Sequence, residues 1–491
     1  MNKQDSKGPY DLQAIARLAM TSHGLAPDFD DSVLSELKNI TASAEDKTEN
    51  LPDLTKLLWC SIDNDDSMDL DQITVAEKLP SGSVKIFVAV ADVDAVVRID
   101  HPIDKHAQQN TTSVYTGVRV FPMLPEKLST DLTSLSEGQV RIAMVMEFAV
   151  NQRGEIESSK VYRAQVRNQA KLAYSSVGAW LEGKGPLPIS AEKVKGMDEQ
   201  LRIQDEFAQK LRKLRHEHGA LEFETIQPQT IMKDGVVADL KQDDRNRAHE
   251  LIEDLMVAAN GVTARFLTQA GYSTFRRVVR SPERWEKIVQ VAKDLGEVLP
   301  DQADSQALSQ FLTKQKSVDP LRFPDLSLTV VKLLGRGEYV LEVPGEKPLG
   351  HFGLAVRDYS HSTAPNRRFP DLITHRLLKA ALKKARAPYD DGELKALADH
   401  CTKMEDAADK VARQVRKSAA AILMASKIGG NFDGIVTGVN KSGIWARIVH
   451  PPVEGKIVHG EHGLDVGDKV RLKLTGVDVE RGFIDFVRVG R

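Results

Sequence analysis

The sequence has little cysteine, few aromatic residues and no long apolar run. Its two cysteines, Cys60 and Cys401, form no CxxC pair, so neither a disulfide framework nor a zinc site is indicated. No uninterrupted apolar stretch is long enough to cross a bilayer, and the polar first residues contain no apolar secretory core. We therefore expect a soluble protein of the reducing cytoplasm that has no membrane partner.

The charge is unevenly distributed along the chain. A net charge of −3 excludes a protein that is basic all over. Between Arg367 and Lys427, however, 14 Lys plus Arg face 8 Asp plus Glu, whereas the region around Asp63 is acidic. A basic segment beside an acidic one can hold phosphates next to a metal site. A basic helix, however, more often only exposes its charged face to solvent.

The apolar spacing divides the 491 residues into three regions, and a chain of this length is expected to form several domains. Residues 1–48 predict a small helical domain, possibly winged-helix-like, with Leu12, Ile15 and Ala19 at helical spacing and Asp30 as a helix cap. Residues 49–428 predict a body in which strands such as KIFVAVADV precede long amphipathic helices. The fold class is therefore α+β.

Short strands separated by glycines fill the last region, residues 429–491. The runs FDGIVTGV, GIWARIV, KVRLKL and FIDFV predict a five-stranded OB barrel. Phe432 and Trp445 are the candidate stacking platforms for RNA on this barrel. We expect Phe432 to fill the core, while Trp445 suits the core and the surface equally, because Ile444 and Ala446 beside it suit the inward face.

The most informative stretch is SIDNDDSMDLDQ, which has five aspartates within nine residues. Carboxylates packed this closely repel one another unless a cation offsets their charge, and hard divalent ions prefer oxygen ligands. A calcium EF-hand starting at Asp63 is excluded because Met68 and Thr74 stand where Gly and Glu are needed. The stretch therefore indicates a Mg²⁺ or Mn²⁺ site, with a plain surface loop as the alternative.

From about Leu58 onward, the chain resembles the RNase II (RNB) family. SIDNDDSMDLDQ is similar to its aspartate signature, SVYTGVRVFPMLPEKLS to its SVYxPxRxxPMLPexLS segment, and HFGLAVRDYSHSTAPNRRFPDLITHRLLKA to its HFGLxxxxYxHxTSPIRRYxDLxxHRLL block. The last 60 residues resemble the OB-fold RNA-binding domain, of ribosomal-protein type, that closes family members. The resemblance implies an RNB catalytic fold, with a mixed sheet surrounded by helices, between the helical unit and the barrel.

The resemblance also implies a function and a set of site residues. The function is a Mg²⁺-dependent 3′-to-5′ exoribonuclease that releases 5′-mononucleotides from single-stranded RNA, with Mn²⁺ as a substitute metal and a monomer as the default state. The implied roles cover metal binding and catalysis (Asp63, Asp69 and Asp71), the grip on the scissile phosphate (Arg367), stacking on terminal nucleotides (Tyr115) and further RNA contacts (Arg368 and Trp445).

Gln72 departs from the family pattern, which has a second Asp at this place. Its amide oxygen can still coordinate a metal, so Gln72 joins the predicted metal ligands, but it contributes no charge. The alternative is therefore an RNA-binding protein of this fold whose catalytic activity is weakened or lost.

Overall fold

The structure is a computed structural model that describes residues 10–44, 50–224, 228–233, 236–242, 245–320, 322–440, 442–448 and 450–490. Parts of the predicted N-terminal domain, residues 1–9 and 45–48, lie outside the described residues. The boundaries drawn at residues 48 and 428 stay predictions. Within the described ranges, a mixed sheet with surrounding helices and a separate closed barrel confirm the predicted fold class.

Helices make up much of the described chain, together with 3₁₀ turns at Val93–Ala95 and Phe352–Leu354 and a π-helical turn at Lys127–Leu132. None of the helices in the described ranges is long and apolar enough to span a bilayer. The α-helices are α1 (Leu12–Ser22), α2 (Asp31–Asn39), α3 (Pro102–Asn110), α4 (Tyr174–Leu181), α5 (Ile189–Glu192), α6 (Met197–Glu217), α7 (Arg247–Gln269), α8 (Trp285–Asp294), α9 (Ser305–Val318), α10 (Phe323–Leu334), α11 (Phe369–Leu382) and α12 (Asp391–Ala425).

Strands fall into a six-stranded sheet, three two-stranded ribbons and a closed barrel. In the first half of the chain they are β1 (Cys60–Asp63), β2 (Gln72–Lys78), β3 (Val84–Ala91), β4 (Val114–Tyr115), β5 (Val120–Phe121), β6 (Val140–Val150), β7 (Ile156–Arg167), β8 (Ala170–Ala173), β9 (Pro228–Lys233) and β10 (Val236–Gln242). The remaining strands are β11 (Thr274–Val278), β12 (Glu338–Glu342), β13 (Asn431–Asn440), β14 (Gly443–Ile448), β15 (Glu454–His459), β16 (Lys469–Asp478) and β17 (Phe483–Arg488).

The six-stranded sheet has the order β7-β6-β3-β2-β1-β8. Its neighbouring strands are antiparallel except β1 and β8, which run parallel with Asp63 opposite Ala173. Strand β3 is a nearly continuous apolar run, and its residues are almost all buried, as expected when both faces of a strand are covered. Helix α7 contacts β3 and buries Leu251, Leu255 and Val262 along one face.

The C-terminal strands close into a barrel of order β13-β14-β15-β17-β16, which confirms the predicted five-stranded fold. Ile444, Ala446 and Ile448 are buried in its core. Trp445 alternates with these residues and is only partly buried, so its ring lies on the outer face of β14. Phe432, which was expected to fill the core, is only partly buried and packs against it.

Helix α12 is the longest element, and it begins at Asp391 because Asp390 and Glu393 form a capping box. Near its start, Cys401 joins the main core. Val411 and Val415 in its middle pack with Ala16, Ala19 and Met20 of α1. At its end, Ala421 and Met424 complete the barrel core. One helix therefore connects the N-terminal helices, the sheet and the barrel.

Two barrel glycines provide a test of how closely α12 approaches the barrel. Both have positive φ, but a Cβ at Gly482 would lie 2.5 Å from the Cβ of Lys417 on α12, whereas a Cβ at Gly463 meets nothing within 4 Å. Each alanine variant carries the positive-φ cost of about 1–2 kcal/mol. We expect Gly482→Ala to add about 1–3 kcal/mol of overpacking and so to lower the melting temperature more than Gly463→Ala. Equal melting temperatures for the two variants would contradict this close approach.

Candidate active site

The aspartate-rich segment is a loop that joins the antiparallel strands β1 and β2. Asp63, at the end of β1, accepts a hydrogen bond from the Ser67 hydroxyl at 2.9 Å, which folds the loop back on itself. Farther along, the amide of Leu70 donates to the Ser134 hydroxyl, which donates in turn to the carbonyl of Met68. The loop is therefore held in place at both ends.

Asp71 connects this loop to a distant segment of the chain. Its carboxylate is 1% exposed, and it accepts hydrogen bonds from the backbone amide of Asn366 at 2.8 Å and from Nε of Arg367 at 3.0 Å. The side chain of Asn366 is itself buried and accepts from the Thr133 hydroxyl. Two predicted site residues that lie 296 positions apart, Asp71 and Arg367, are thus in direct contact.

The carboxylates of the loop carry negative charge that the protein only partly offsets. Burial raises the pKa of Asp71 to about 7, against the lowering effects of the Arg367 charge and the Asn366 amide. The pKa of Asp69 is also raised, chiefly by burial, with a further contribution from the charge of Asp63. A cation beside these groups would relieve both effects.

Oxygen donors of this kind suit a hard divalent cation such as Mg²⁺. Within the described ranges, though, no three His, Cys, Asp or Glu side chains are arranged to hold a metal ion. Gln72 begins β2 opposite Val90 and is 8% exposed. No hydrogen bond among the described residues joins its amide to Asp63 or Asp69. The donor chemistry fits a metal, and the assignment of ligands stays a prediction.

Tyr115 lies next to the carboxylates, and its predicted stacking on terminal nucleotides stays a prediction. Its hydroxyl donates to Asp69 Oδ2 at 3.4 Å, and its side chain is 48% exposed. The segment just before it is joined to Arg367, whose carbonyl accepts from the Ser113 amide at 3.0 Å and the Thr112 hydroxyl at 3.1 Å. The tyrosine and the arginine therefore belong to one connected unit.

Arg368 turns toward the protein interior. Its Nη2 donates to Asp371 Oδ1 at 2.8 Å, and the same oxygen accepts from the amide of Ala364. His361 contacts the hydroxyl of Tyr339. Asp371 and His361 thus pack the loop that presents Arg367. The RNA contact expected of Arg368 stays a prediction.

Trp445 lies on the outer face of the barrel, where the Lys456 ammonium is 5.9 Å from the centre of its ring. This pair offers an aromatic face and a positive charge side by side. The described contacts do not link Trp445 to the acidic loop, so its RNA contact also stays a prediction.

Tyr174 is a neighbour of the site that the sequence interpretation missed. It is the first residue of α4 and follows β8 directly, so the parallel pairing of β8 with β1 brings it to the sheet edge where Asp63 lies. Burial raises the pKa of its hydroxyl, and the charge of Asp63 raises it further while that of Arg367 opposes the shift. Only the pairing of these two strands, which the four-residue β8 does not reveal, could have identified it.

A cavity of about 980 Å³ opens in front of the loop. Its walls are residues 64–69, the segment from Thr116 to Val120 beside Tyr115, and a turn containing Glu126 and Thr130. Arg416 of α12 completes the lining. This volume lies at the upper end of the range of about 300–1,000 Å³ usual for small-molecule pockets, so a segment longer than a single small ligand can enter.

Comparisons with known proteins agree with this architecture. Residues 431–489 match the model of the RNase II-type exonuclease C-terminal S1 domain. Ribonuclease R of Aquifex aeolicus is 28% identical over 495 residues, covering 94% of this chain and 68% of that protein. Ribonuclease R of Escherichia coli is 30% identical over 471 residues, covering 88% of this chain and 57% of that protein. The chain thus spans little more than half to two thirds of the length of these relatives.

The fold itself matches solved structures. Mycoplasma genitalium RNase R in complex with ribose methylated single-stranded RNA superposes with a TM-score of 0.88 at 23% identity, covering 98% of this chain and 78% of that one. The RNB domain model matches residues 52–384, which is more than half of the chain. The chain therefore belongs to the RNB family.

Proposed function

We propose that this protein is a 3′-to-5′ exoribonuclease that hydrolyses single-stranded RNA to 5′-mononucleotides with the aid of a divalent metal. Membership of the RNB family and relatives named Ribonuclease R support this proposal. The single observation that carries it is the contact between buried Asp71 and Arg367, beside Asp69 and Tyr115. A related structure from Mycoplasma genitalium holds single-stranded RNA, which supports the same class of substrate.

In the proposed complex, Arg367 binds the reacting phosphate. Its Nε is occupied by Asp71, and its side chain remains 40% exposed, so the terminal amino groups can donate to phosphate oxygens. Asp71 fixes the direction of the guanidinium and offsets its charge between turnovers. Held in this way, the donors need no reorganisation when charge develops on the phosphate.

Hydrolysis replaces the bond between phosphorus and the O3′ of the preceding nucleotide. Oxygen from water bonds to phosphorus, a proton passes to the departing O3′, and the terminal nucleotide leaves with its 5′-phosphate. Asp63, Asp69, Asp71 and Gln72 would hold Mg²⁺, or Mn²⁺ in its place, which supplies an activated water and neutralises charge on the phosphate. Tyr115 places its ring against the terminal nucleotides and, through its contact with Asp69, fixes them relative to the carboxylates.

Asp71→Asn tests this function directly, because it removes the charge that orients Arg367. Purified wild-type protein with Mg²⁺ and 5′-labelled RNA should produce a ladder that collapses to a few nucleotides, and EDTA should stop it. We expect Asp71→Asn to lower kcat by about 10²–10³-fold or more, the size seen when a preorganised donor is lost. Asp66→Asn, a matched change at an exposed position of the same loop, should retain most of the activity.

Intact RNA with the wild-type protein would defeat the nuclease proposal. If the protein still bound that RNA, the outcome would instead favour the alternative of an RNA-binding protein that has lost its activity. Equal rates for the Asp71 and Asp66 variants would show that the Arg367 contact is not part of the chemistry.

Tyr115→Ala should lengthen the final products, because the ring that seats the terminal nucleotides is lost. Tyr115→Phe is the matched control, since it keeps the ring and loses only the hydrogen bond to Asp69. We expect products of wild-type length from the phenylalanine variant and longer products from the alanine variant, separated on sequencing gels. Identical ladders from both variants would exclude stacking as the factor that determines product length.

Gln72→Asp tests the metal assignment by adding a carboxylate to the predicted ligands. We expect the Mg²⁺ concentration for half-maximal rate to fall, since an additional anionic ligand strengthens the binding of a hard cation. The measurement is a Mg²⁺ titration of the initial rate, with Gln72→Glu as a second carboxylate of greater length. A half-maximal concentration that neither variant changes would remove residue 72 from the metal site.

A further inference from the structure

Arg416 brings a positive charge to the cavity in front of the acidic loop. It lies on α12 and lines that cavity together with residues 64–69 and Tyr115. Arg413, which lies three residues earlier on the same helix, is more exposed and is not part of the lining. Arg416 is therefore the residue through which α12 presents charge to the cavity.

The charge of Arg416 is poorly compensated. Burial lowers the pKa of its guanidinium, the like charge of Arg413 lowers it further, and Asp409 opposes the shift. Among the residues that the structure describes, none forms an ion pair with Arg416, although Glu126 and several aspartates line the same cavity. An arginine does not lose its proton in proteins. An anion that enters the cavity would therefore interact with a partly desolvated cation that has no ion-pair partner among the described residues.

Apolar side chains in the same cavity fit nucleobases. Met68, Tyr115 and Val120 are 58%, 48% and 48% exposed, and all three belong to the lining. Large exposed apolar side chains grouped around one opening are typical of a binding surface. Apolar and aromatic faces combined with a cation match the two parts of a single-stranded nucleic acid, its bases and its phosphates.

The position of Arg416 along α12 indicates the direction in which an RNA strand would run through the cavity. It lies five residues, or about 7.5 Å of helix, before Ala421, which belongs to the barrel core. On the other side of the cavity, Tyr115 contacts Asp69 next to the Arg367 site. Arg416 thus lies between the barrel and the residues of the proposed reaction.

We propose that Arg416 binds a backbone phosphate of the RNA on the 5′ side of the nucleotides that contact Tyr115, and so guides the strand from the barrel into the site. This inference rests on the proposed function and adds to it a positioning residue on α12. Because the contact is to a phosphate, it contributes equally to RNAs of different sequence.

The salt dependence of RNA binding tests this inference. The affinity of a 20-nucleotide single-stranded RNA, measured by fluorescence anisotropy with EDTA to prevent cleavage, is followed over a series of salt concentrations. Each phosphate contact contributes about 0.7 to the slope of log K against log [salt] for single strands. We expect Arg416→Gln to reduce the slope by about 0.7. The variant should then bind the RNA about fivefold more weakly than the wild-type protein at 0.1 M salt, and the two affinities should become equal near 1 M salt.

Two matched variants separate a specific contact from the general charge of the helix. Arg416→Lys keeps the charge and should keep the wild-type slope, whereas Arg413→Gln removes an equal charge one turn away and should also leave the slope unchanged. Thermal unfolding by circular dichroism verifies that all variants are folded. In steady-state assays with Mg²⁺, Arg416→Gln should raise KM and leave kcat unchanged, as expected when binding away from the reacting bond is lost.

Each other outcome has a definite meaning. Equal loss of slope in Arg413→Gln and Arg416→Gln would show a diffuse field of the helix and overturn the proposed contact. Wild-type slopes in every variant would overturn it as well, while leaving the nuclease proposal intact. A wild-type protein without affinity for the RNA would reject both proposals together.

Discussion

The burial of Asp71 is the constraint on which the rest of the site depends. A carboxylate removed from water is costly unless it is paired and hydrogen-bonded. Here Arg367 and the amide of Asn366 supply the pairing, and both belong to a segment almost 300 residues farther along the chain. The requirement to satisfy one buried charge therefore positions the guanidinium in front of the acidic loop, and the same segment holds the strand that carries Tyr115.

Helix α12 has a similar positioning role, but between domains and not within the site. A 35-residue helix spans about 50 Å, which is more than one domain needs for its own core. Its successive turns pack against the sheet body, the helix α1 and the barrel. Since the segments share one rigid element, the barrel has a defined place relative to the cavity. In the proposed complex, a strand of RNA that passes from the barrel to the cavity would then meet the same side of the helix each time.

Much of the fold could be predicted from local pattern. The apolar run of β3, the amphipathic face of α7 and four of the five barrel strands are where their sequences indicate. Strand β15 escaped notice because EGKIVH is short and has only two buried positions, so its pairing with β14 and β17 defines it. The start of α12 has a local signal in the sequence, the capping box of Asp390 and Glu393.

The site residues could be predicted where several reactive side chains lie close together in the sequence. They could not be predicted where their position depends on which strands pair. Five aspartates in one loop indicated a metal site. The resemblance to a family selected Asp63, Asp69 and Asp71 among them and added Arg367 and Tyr115. Tyr174 lies near the site only because the short strands β1 and β8 pair in parallel. The apolar pattern of neither strand indicates that they are partners. Arg368 shows the converse limit, since the sequence does not tell which of two adjacent arginines faces inward to Asp371.

The hydrogen bonds that the Ser113 amide and the Thr112 hydroxyl donate to the carbonyl of Arg367 have a mechanical consequence. The ring of Tyr115 and the guanidinium of Arg367 extend from segments that are hydrogen-bonded to each other, so a terminal nucleotide that shifts the Tyr115 segment would also shift the donors proposed for its phosphate. Under the proposed function, a terminal nucleotide that is poorly seated on the ring would therefore slow the chemical step as well as weaken binding.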